Sequence, residues 1–164
     1  MKSSDRRLSP LRGPAAKRAV DSCVRAMESR MVTSKNVRDV KRGVYDEPLS
    51  DFDPYLNNGD NMIRSVAADL IAHKGDGSLV VRAIISEEHP TVVCTMLKSL
   101  GDAKFKDVGD LTFLLRSDSS MLVEEAFKMF AAVERADLLF PLVMSGDDIT
   151  KERVRRYLHE QGWV

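Results

Sequence analysis

The chain has 164 residues, 43% of them apolar and 30% charged, which fits one compact domain with a tail and leaves too little for two ordinary domains. Its apolar runs all fall short of the roughly eighteen residues a membrane-spanning helix needs, so no membrane insertion is expected, and without an apolar leader neither is export by the secretory route. The two cysteines, Cys23 and Cys94, are too few for a disulfide framework or a cysteine zinc site, and a reducing compartment follows.

The zero formal charge hides an asymmetry. Residues 1–42 carry twelve Lys/Arg and four Asp/Glu, a balance of +8, whereas the remaining 122 residues carry thirteen bases and twenty-one acids, a balance of −8. The pattern reads as a basic arm on an acidic body. Such an arm can capture phosphate or an acidic partner, or fold back on its own body. Its first thirteen residues hold Ser3, Ser4, Ser9, Pro10 and Gly13 with few apolar groups, and disorder is expected there. Arg6-Arg7-Leu8-Ser9-Pro10 has the form of a basophilic or proline-directed kinase site, which makes Ser9 a candidate for phosphorylation. Pro14-Ala15-Ala16-Lys17-Arg18 resembles the opening of the nuclear-import signal of the Myc family, from which the chain departs at Ala19-Val20-Asp21. With Arg6-Arg7 upstream, that resemblance implies import-receptor binding through Arg6, Arg7, Lys17 and Arg18, and a nuclear or cytoplasmic location. An Arg- and Ser-rich, acid-poor start also suits an organellar transit peptide.

From Ala16 the periodicity turns helical. Ala16, Val20, Cys23, Val24, Met27 and Met31 recur at three- and four-residue steps, with Arg18, Arg25 and Arg30 off the stripe. A second short helix is predicted from Ser34, facing Val37 and Val40 inward and ending at Gly43. Residues 1–43 therefore form the arm. Residues 44–60 read as a linker, broken by Pro48, Pro54 and Asn57-Asn58-Gly59, with Phe52, Tyr55 and Leu56 available to anchor it. Residues 61–164 form the helical domain. It opens with a helix carrying Ile63, Val66, Ala67, Leu70 and Ile71, capped by Asp60 and stopped by His73-Lys74-Gly75-Asp76-Gly77.

Three segments then share one pattern: an apolar helix, a four-residue turn opened by serine, and an amphipathic helix. They run from Ser78, Leu111 and Leu138, and their turn serines, Ser86, Ser117 and Ser145, are 31 and 28 positions apart, inside the range of helical solenoids. The turns offer side-chain oxygens to the next helix's free N–H groups. Leu114-Leu115-Arg116-Ser117-Asp118-Ser119-Ser120-Met121-Leu122-Val123-Glu124-Glu125-Ala126 resembles the Leu-Leu, Ser-x-Asp, Val-x-Glu-x-Ala pattern of HEAT and armadillo repeats, and Ile84 to Val93 is a weaker likeness. The resemblance covers residues 78–161 and implies a small superhelix whose concave face binds a peptide or protein. The fold class is all-α, with a small α-solenoid and an orthogonal bundle of αα-hairpins as its two forms.

Catalytic and metal patterns are missing from the sequence. His73, His89 and His159 are scattered, no Cys-x-x-Cys or His-x-x-x-His occurs, and the segment after Glu124-Glu125-Ala126-Phe127 lacks a calcium-loop ladder. Gly75-Asp76-Gly77 lacks a P-loop lysine, and no Gly-x-Ser-x-Gly elbow appears. No cofactor and no enzymatic activity are expected. The last helix crowds Lys151, Arg153, Arg155 and Arg156 opposite an expected buried side of Ile149, Val154, Tyr157 and Leu158, a candidate surface for a carboxylate-rich or phosphorylated partner. Trp163 is expected to close the core or to meet another chain. These features point to a protein-binding adaptor with a targeting arm; the alternative is a nucleic-acid-associated protein, viral or chromatin-linked, whose arm contacts phosphates.

Overall fold

In the computed structural model, which describes residues 9–43 and 50–163, every regular element is helical, and the one strand-like feature among the described residues is an isolated bridge between Leu11 and Gly43. Arg6, Arg7 and the first part of the expected linker lie outside the described residues.

Helix α1 (Gly13–Glu28) starts with Pro14 in its first turn, where a missing N–H costs nothing, and buries Ala16, Val20, Cys23 and Met27. Met31 does not continue that stripe and is 73% exposed. The helix stops at Glu28, Arg30 takes the left-handed conformation at φ 57°, and the Met31 N–H turns back to the Ala26 carbonyl at 2.8 Å. Helix α2 (Ser34–Arg42) begins at a reciprocal cap. The Asn36 N–H donates to Thr33 Oγ1 at 3.2 Å and the Thr33 N–H to Asn36 Oδ1 at 3.0 Å. It ends at Gly43, as its sequence predicts.

The helical part of the basic segment belongs to the same core as the acidic body. Val20, Cys23, Met27 and Val40 join Phe52, Leu70 and Leu97 in one apolar cluster. The second part of the expected linker is a 3₁₀ helix (Ser50–Asn57) that buries Phe52 and Leu56, the anchors its sequence offered. Lys41 reaches Asp69 at 2.8 Å, which neutralises part of the charge asymmetry internally, and the Lys74 ammonium donates to the Gly43 carbonyl.

Helix α3 (Asn61–His73) is capped by Asp60, whose Oδ1 accepts from the N–H groups of Met62 at 2.8 Å and Ile63 at 3.2 Å. Helices α4 (Gly77–Ser86), α5 (Pro90–Asp102) and α6 (Ser120–Ala132) follow. Helix α5 packs between α3 and α6. At that second contact a Cβ on Gly101 would lie 3.2 Å from the Ala132 Cβ, so the two helices approach closely. At the start of α4, a Cβ on Gly77 would fall 2.3 Å from the Phe105 ring, which occupies the space a side chain would need.

The three segments of similar pattern keep the order of their elements but not their helix type. The first uses α4. The second uses a 3₁₀ helix (Gly109–Arg116) that buries Leu111, Leu114 and Leu115. The third has a 3₁₀ turn (Ala136–Leu138) and the short α7 (Leu142–Ser145), separated by Pro141, which has no N–H to continue a helix. Helix α8 (Asp148–Glu160) closes the chain. Of its expected buried side Val154 and Leu158 are fully buried, but Ile149 is 56% exposed. Thr150 turns inward instead, because its N–H and hydroxyl both donate to Asp147, at 3.0 and 2.7 Å.

One ion pair ties the start of α3 to the turn before α5. Arg64 donates to Glu87 through Nε at 2.8 Å and Nη2 at 2.9 Å, and to the Asn58 carbonyl through Nη1 at 2.8 Å. The two side chains are only 12% and 6% exposed. Burial alone would push the Glu87 carboxyl up, but hydrogen bonds from Arg64 and the His89 N–H hold it below the usual carboxylate range.

Phe52→Ala is expected to cost about 3–5 kcal/mol in urea unfolding, since the ring is fully buried between α3 and the rest of the core. Glu87→Gln is expected to cost about 1–3 kcal/mol near neutral pH. Because the folded-state pKa of Glu87 is lowered, its contribution is present above its unfolded value of about 4.3 and is lost as pH falls through the folded one. The stability gap between wild type and Glu87→Gln should therefore shrink in melts below about pH 4.3, and a gap that is flat with pH would contradict the assignment.

Candidate binding groove

Helix α8 rests on α7 and on the 3₁₀ helix at Gly109–Arg116, not along the length of α6. Between α6 and α8 this leaves an open groove of about 830 Å³. Its walls follow helical spacing: Val123, Phe127 and Ala131 from α6, and Arg153, Tyr157 and Glu160 from α8. Phe127 and Tyr157 form the floor, their rings stacked with centroids 4.3 Å apart and planes 11° from parallel. Burial holds the Tyr157 phenol above its ordinary pKa.

Arg153 sets the position of α8. Its Nη1 donates to the carbonyls of Leu115 at 2.7 Å, in the last turn of the 3₁₀ helix, and Ser117 at 2.8 Å, just past its end. Those carbonyls immediately precede α6, and Tyr157, one turn further along α8, meets Phe127 at mid-helix. The two helices therefore run in roughly the same direction across the groove. A second tie lies at the α8 cap, where Arg116 meets Asp147 at 3.1 Å. The Thr150 N–H and hydroxyl, aided by Arg116, hold the Asp147 carboxyl below its usual range.

The rim is balanced in charge. Glu124 and Lys128 stand on the α6 side and pair with each other at 3.2 Å, and Arg156 on the α8 side pairs with Glu152 at 3.6 Å, with Glu160 one turn on. Such a groove offers apolar area and a mixed polar rim, not a field of one sign. It does not suit a polyanion.

Of the four cations of the last helix, Arg153 and Arg156 line the groove, and Arg156 also borders a second depression beside Arg155. Arg153 also donates to backbone carbonyls, and the second depression, of about 540 Å³, is lined by Arg155 and Arg156 with Val143, Glu152, Leu158 and His159. Lys151 borders neither. In the N-terminal segment Ser9, Lys17 and Arg18 are exposed. The aromatic floor is the part of the site that sequence reasoning missed, since Tyr157 reads as a core position of an amphipathic helix. The Phe140–Trp163 stack, with ring centroids 6.0 Å apart, was also unforeseen; both rings are about half exposed.

No group of three or more metal-ligating side chains occurs among the described residues, and no helix there is long and apolar enough to cross a membrane. Cys23 and Cys94 are both buried, and burial pushes the Cys23 thiol up to about 11, far from a reactive thiolate. The chain matches no protein-family model, no curated protein and no solved structure.

Arg153→Ala is expected to cost about 1–3 kcal/mol, because two carbonyls lose their donor. It should also weaken the near-ultraviolet dichroism of the Phe127–Tyr157 stack. An unchanged urea midpoint with an unchanged aromatic signal would show that Arg153 does not hold α8 in place.

Proposed function

We propose that this chain is a non-enzymatic protein-interaction adaptor with a HEAT/armadillo-like helical body, whose α6–α8 groove receives an amphipathic helical segment of a partner protein. The observation that carries this reading is the groove itself, with its half-buried apolar walls, stacked aromatic floor and charge-balanced rim. The α6 wall runs from Ser120 to Ala132, roughly 20 Å, and the α8 wall from Arg153 to Gln161, roughly 13 Å, which matches a docked helix presenting apolar residues at i, i+3 or i+4, and i+7. Its N-terminal segment would supply targeting, with Lys17 and Arg18, and Arg6 and Arg7 beyond the described residues, as the import signal.

A second reading, nucleic-acid association through the arm, has one observation in its favour. Arg12, Lys17, Arg18, Arg25, Arg30 and Arg38 are exposed and make no ion pair among the described residues. Arg18 and Arg25 lie two turns apart on the outer ridge of α1, opposite its buried stripe.

Display selection of amphipathic helical peptides against the full chain tests the first reading. Selected peptides should bind wild type and weaken at least about tenfold against Ala131→Glu, which places a charge on the exposed groove wall without a core change. Peptides that bind the variant equally well would refute it. Peptide affinity should change little between about 50 and 200 mM salt, whereas phosphate-driven binding to a nucleic acid should fall steeply.

A further inference from the structure

Ser9 lies where the chain is first pinned to the body. Its carbonyl accepts two hydrogen bonds from the Arg42 guanidinium, from Nε at 3.2 Å and Nη2 at 3.0 Å. Two residues on, the Leu11 N–H donates to the Arg42 carbonyl at 3.0 Å, and Leu11 bridges to Gly43. The third contact of the guanidinium is Asp39, at 3.2 Å from Nη1. A guanidinium has five N–H donors, so two remain for another acceptor. Ser9 is exposed, and a group on its Oγ would be carried by the same residue whose carbonyl Arg42 grips.

Two further arginines lie near these residues along the chain. Arg38, one turn before Arg42 on α2, is exposed and lines a shallow basic depression with Lys41 and Arg42. Arg12 is exposed three residues after Ser9. Neither makes an ion pair among the described residues. In sequence Ser9 has Arg6 and Arg7 before it and Pro10 directly after, the flanks that basophilic and proline-directed kinases read.

We propose that Ser9 is a phosphorylation site whose phosphate is read in cis, by Arg42 with Arg38 and Arg12. In the transfer, Ser9 Oγ attacks the γ-phosphorus of a nucleoside triphosphate held by a separate kinase. The bond from that phosphorus to the β,γ-bridging oxygen breaks, the nucleoside diphosphate leaves, and the hydroxyl proton passes to the kinase's base. The product carries about −1.5 to −2 charge and three strong acceptor oxygens. Residues 9–43 hold nine Lys/Arg and three Asp/Glu, a balance of +6 that falls to about +4. The end of α2 is the unfavourable end of its dipole for an anion, so binding in cis depends on the guanidinium groups. The phosphate competes with Asp39 for Arg42, and a charge-assisted phosphate–arginine pair is the stronger of the two contacts because the phosphate carries more charge and more acceptors. Modification thereby fastens Ser9–Leu11 to α2 and withdraws cations from polyanion capture. This inference does not rest on the groove.

The test is a phosphorus NMR titration of the full chain carrying phosphoserine at position 9, beside a phosphopeptide of residues 5–13. The second ionisation of a free phosphoserine falls near pH 6, and arginine contact favours the dianion. The full chain should therefore titrate lower than the peptide by on the order of half a unit or more. Arg42→Gln should return the midpoint towards the peptide value, and Arg12→Gln, which leaves the Arg42 contacts intact, should return part of it. A full-chain midpoint equal to that of the peptide would overturn reading in cis, and so would a shift that survives Arg42→Gln and Arg38→Gln together. Incubation of the unmodified chain with a proline-directed or basophilic kinase and ATP should place phosphate on Ser9; incorporation confined to other serines would overturn the site.

Discussion

The placement of α8 is the constraint on which the binding surface depends. A terminal amphipathic helix ordinarily lies its apolar stripe along its neighbour, and here that neighbour would be α6. Arg153 prevents this by fastening α8 to the carbonyls of Leu115 and Ser117, while Val154 and Leu158 are buried on the other side. One aromatic contact, Phe127 on Tyr157, then spans the gap instead of a continuous helix interface. The residues that would have sealed the seam, Val123 and Ala131 among them, stay accessible. A polar side chain satisfying backbone groups thus holds open an apolar surface. The two carbonyls gain a donor that the following helix cannot supply, because α6 begins its own ladder at Ser120 with the Ser119 hydroxyl accepting from the Leu122 N–H at 3.3 Å.

Rigidity beneath the groove comes from the α3–α5–α6 layer. Close approach at Gly101 and Ala132 brings α5 and α6 into backbone proximity, and Met96, Leu97, Leu100, Met129 and Phe130 fill the space with almost no exposed area. Several helices end the same way, with Arg30, Gly75, Lys104, Glu134 and Gly162 in the left-handed region. At Lys104 the side chain adds a function to that turn, since its ammonium donates to the Ala132 carbonyl at 2.9 Å and so caps α6 from the neighbouring helix. Helix ends are thereby coupled to one another, not left to solvent.

Local chemistry was legible in the sequence, and long-range pairing was not. The Asp60 cap, the Ala16–Met27 stripe, the stop at Gly43 and the all-helical class depend on neighbours within about two turns, which a periodic pattern records. Met31 leaves its expected stripe because the chain takes a left-handed turn at Arg30, where no glycine announces it. Ile149 faces out because a threonine bonded to its own cap turns inward in its stead. The partner of Glu87 is Arg64, twenty-three residues away on another helix, and nothing in either local pattern joins them. Arg153 reads in sequence as one of four surface cations; only the tertiary position of the Leu115 and Ser117 carbonyls distinguishes it from Arg155.

The two proposed sites lie at opposite ends of the helical order. Helix α2 contacts α3, α3 contacts α5, and α5 contacts α6, so the packed layer separates the Ser9–Arg42 region from the α6–α8 groove. Energetic coupling between them would need an element with two discrete arrangements that both sites bias. The intervening contacts are instead buried and close-packed, including the Arg64–Glu87 pair at the start of α3. The two surfaces are therefore expected to act independently in affinity and jointly in location. A partner held at the basic segment raises the effective concentration of its neighbours at the groove without altering the groove itself. On this physical reading, modification of Ser9 changes how often the groove meets its occupant and leaves unchanged how tightly the groove holds it.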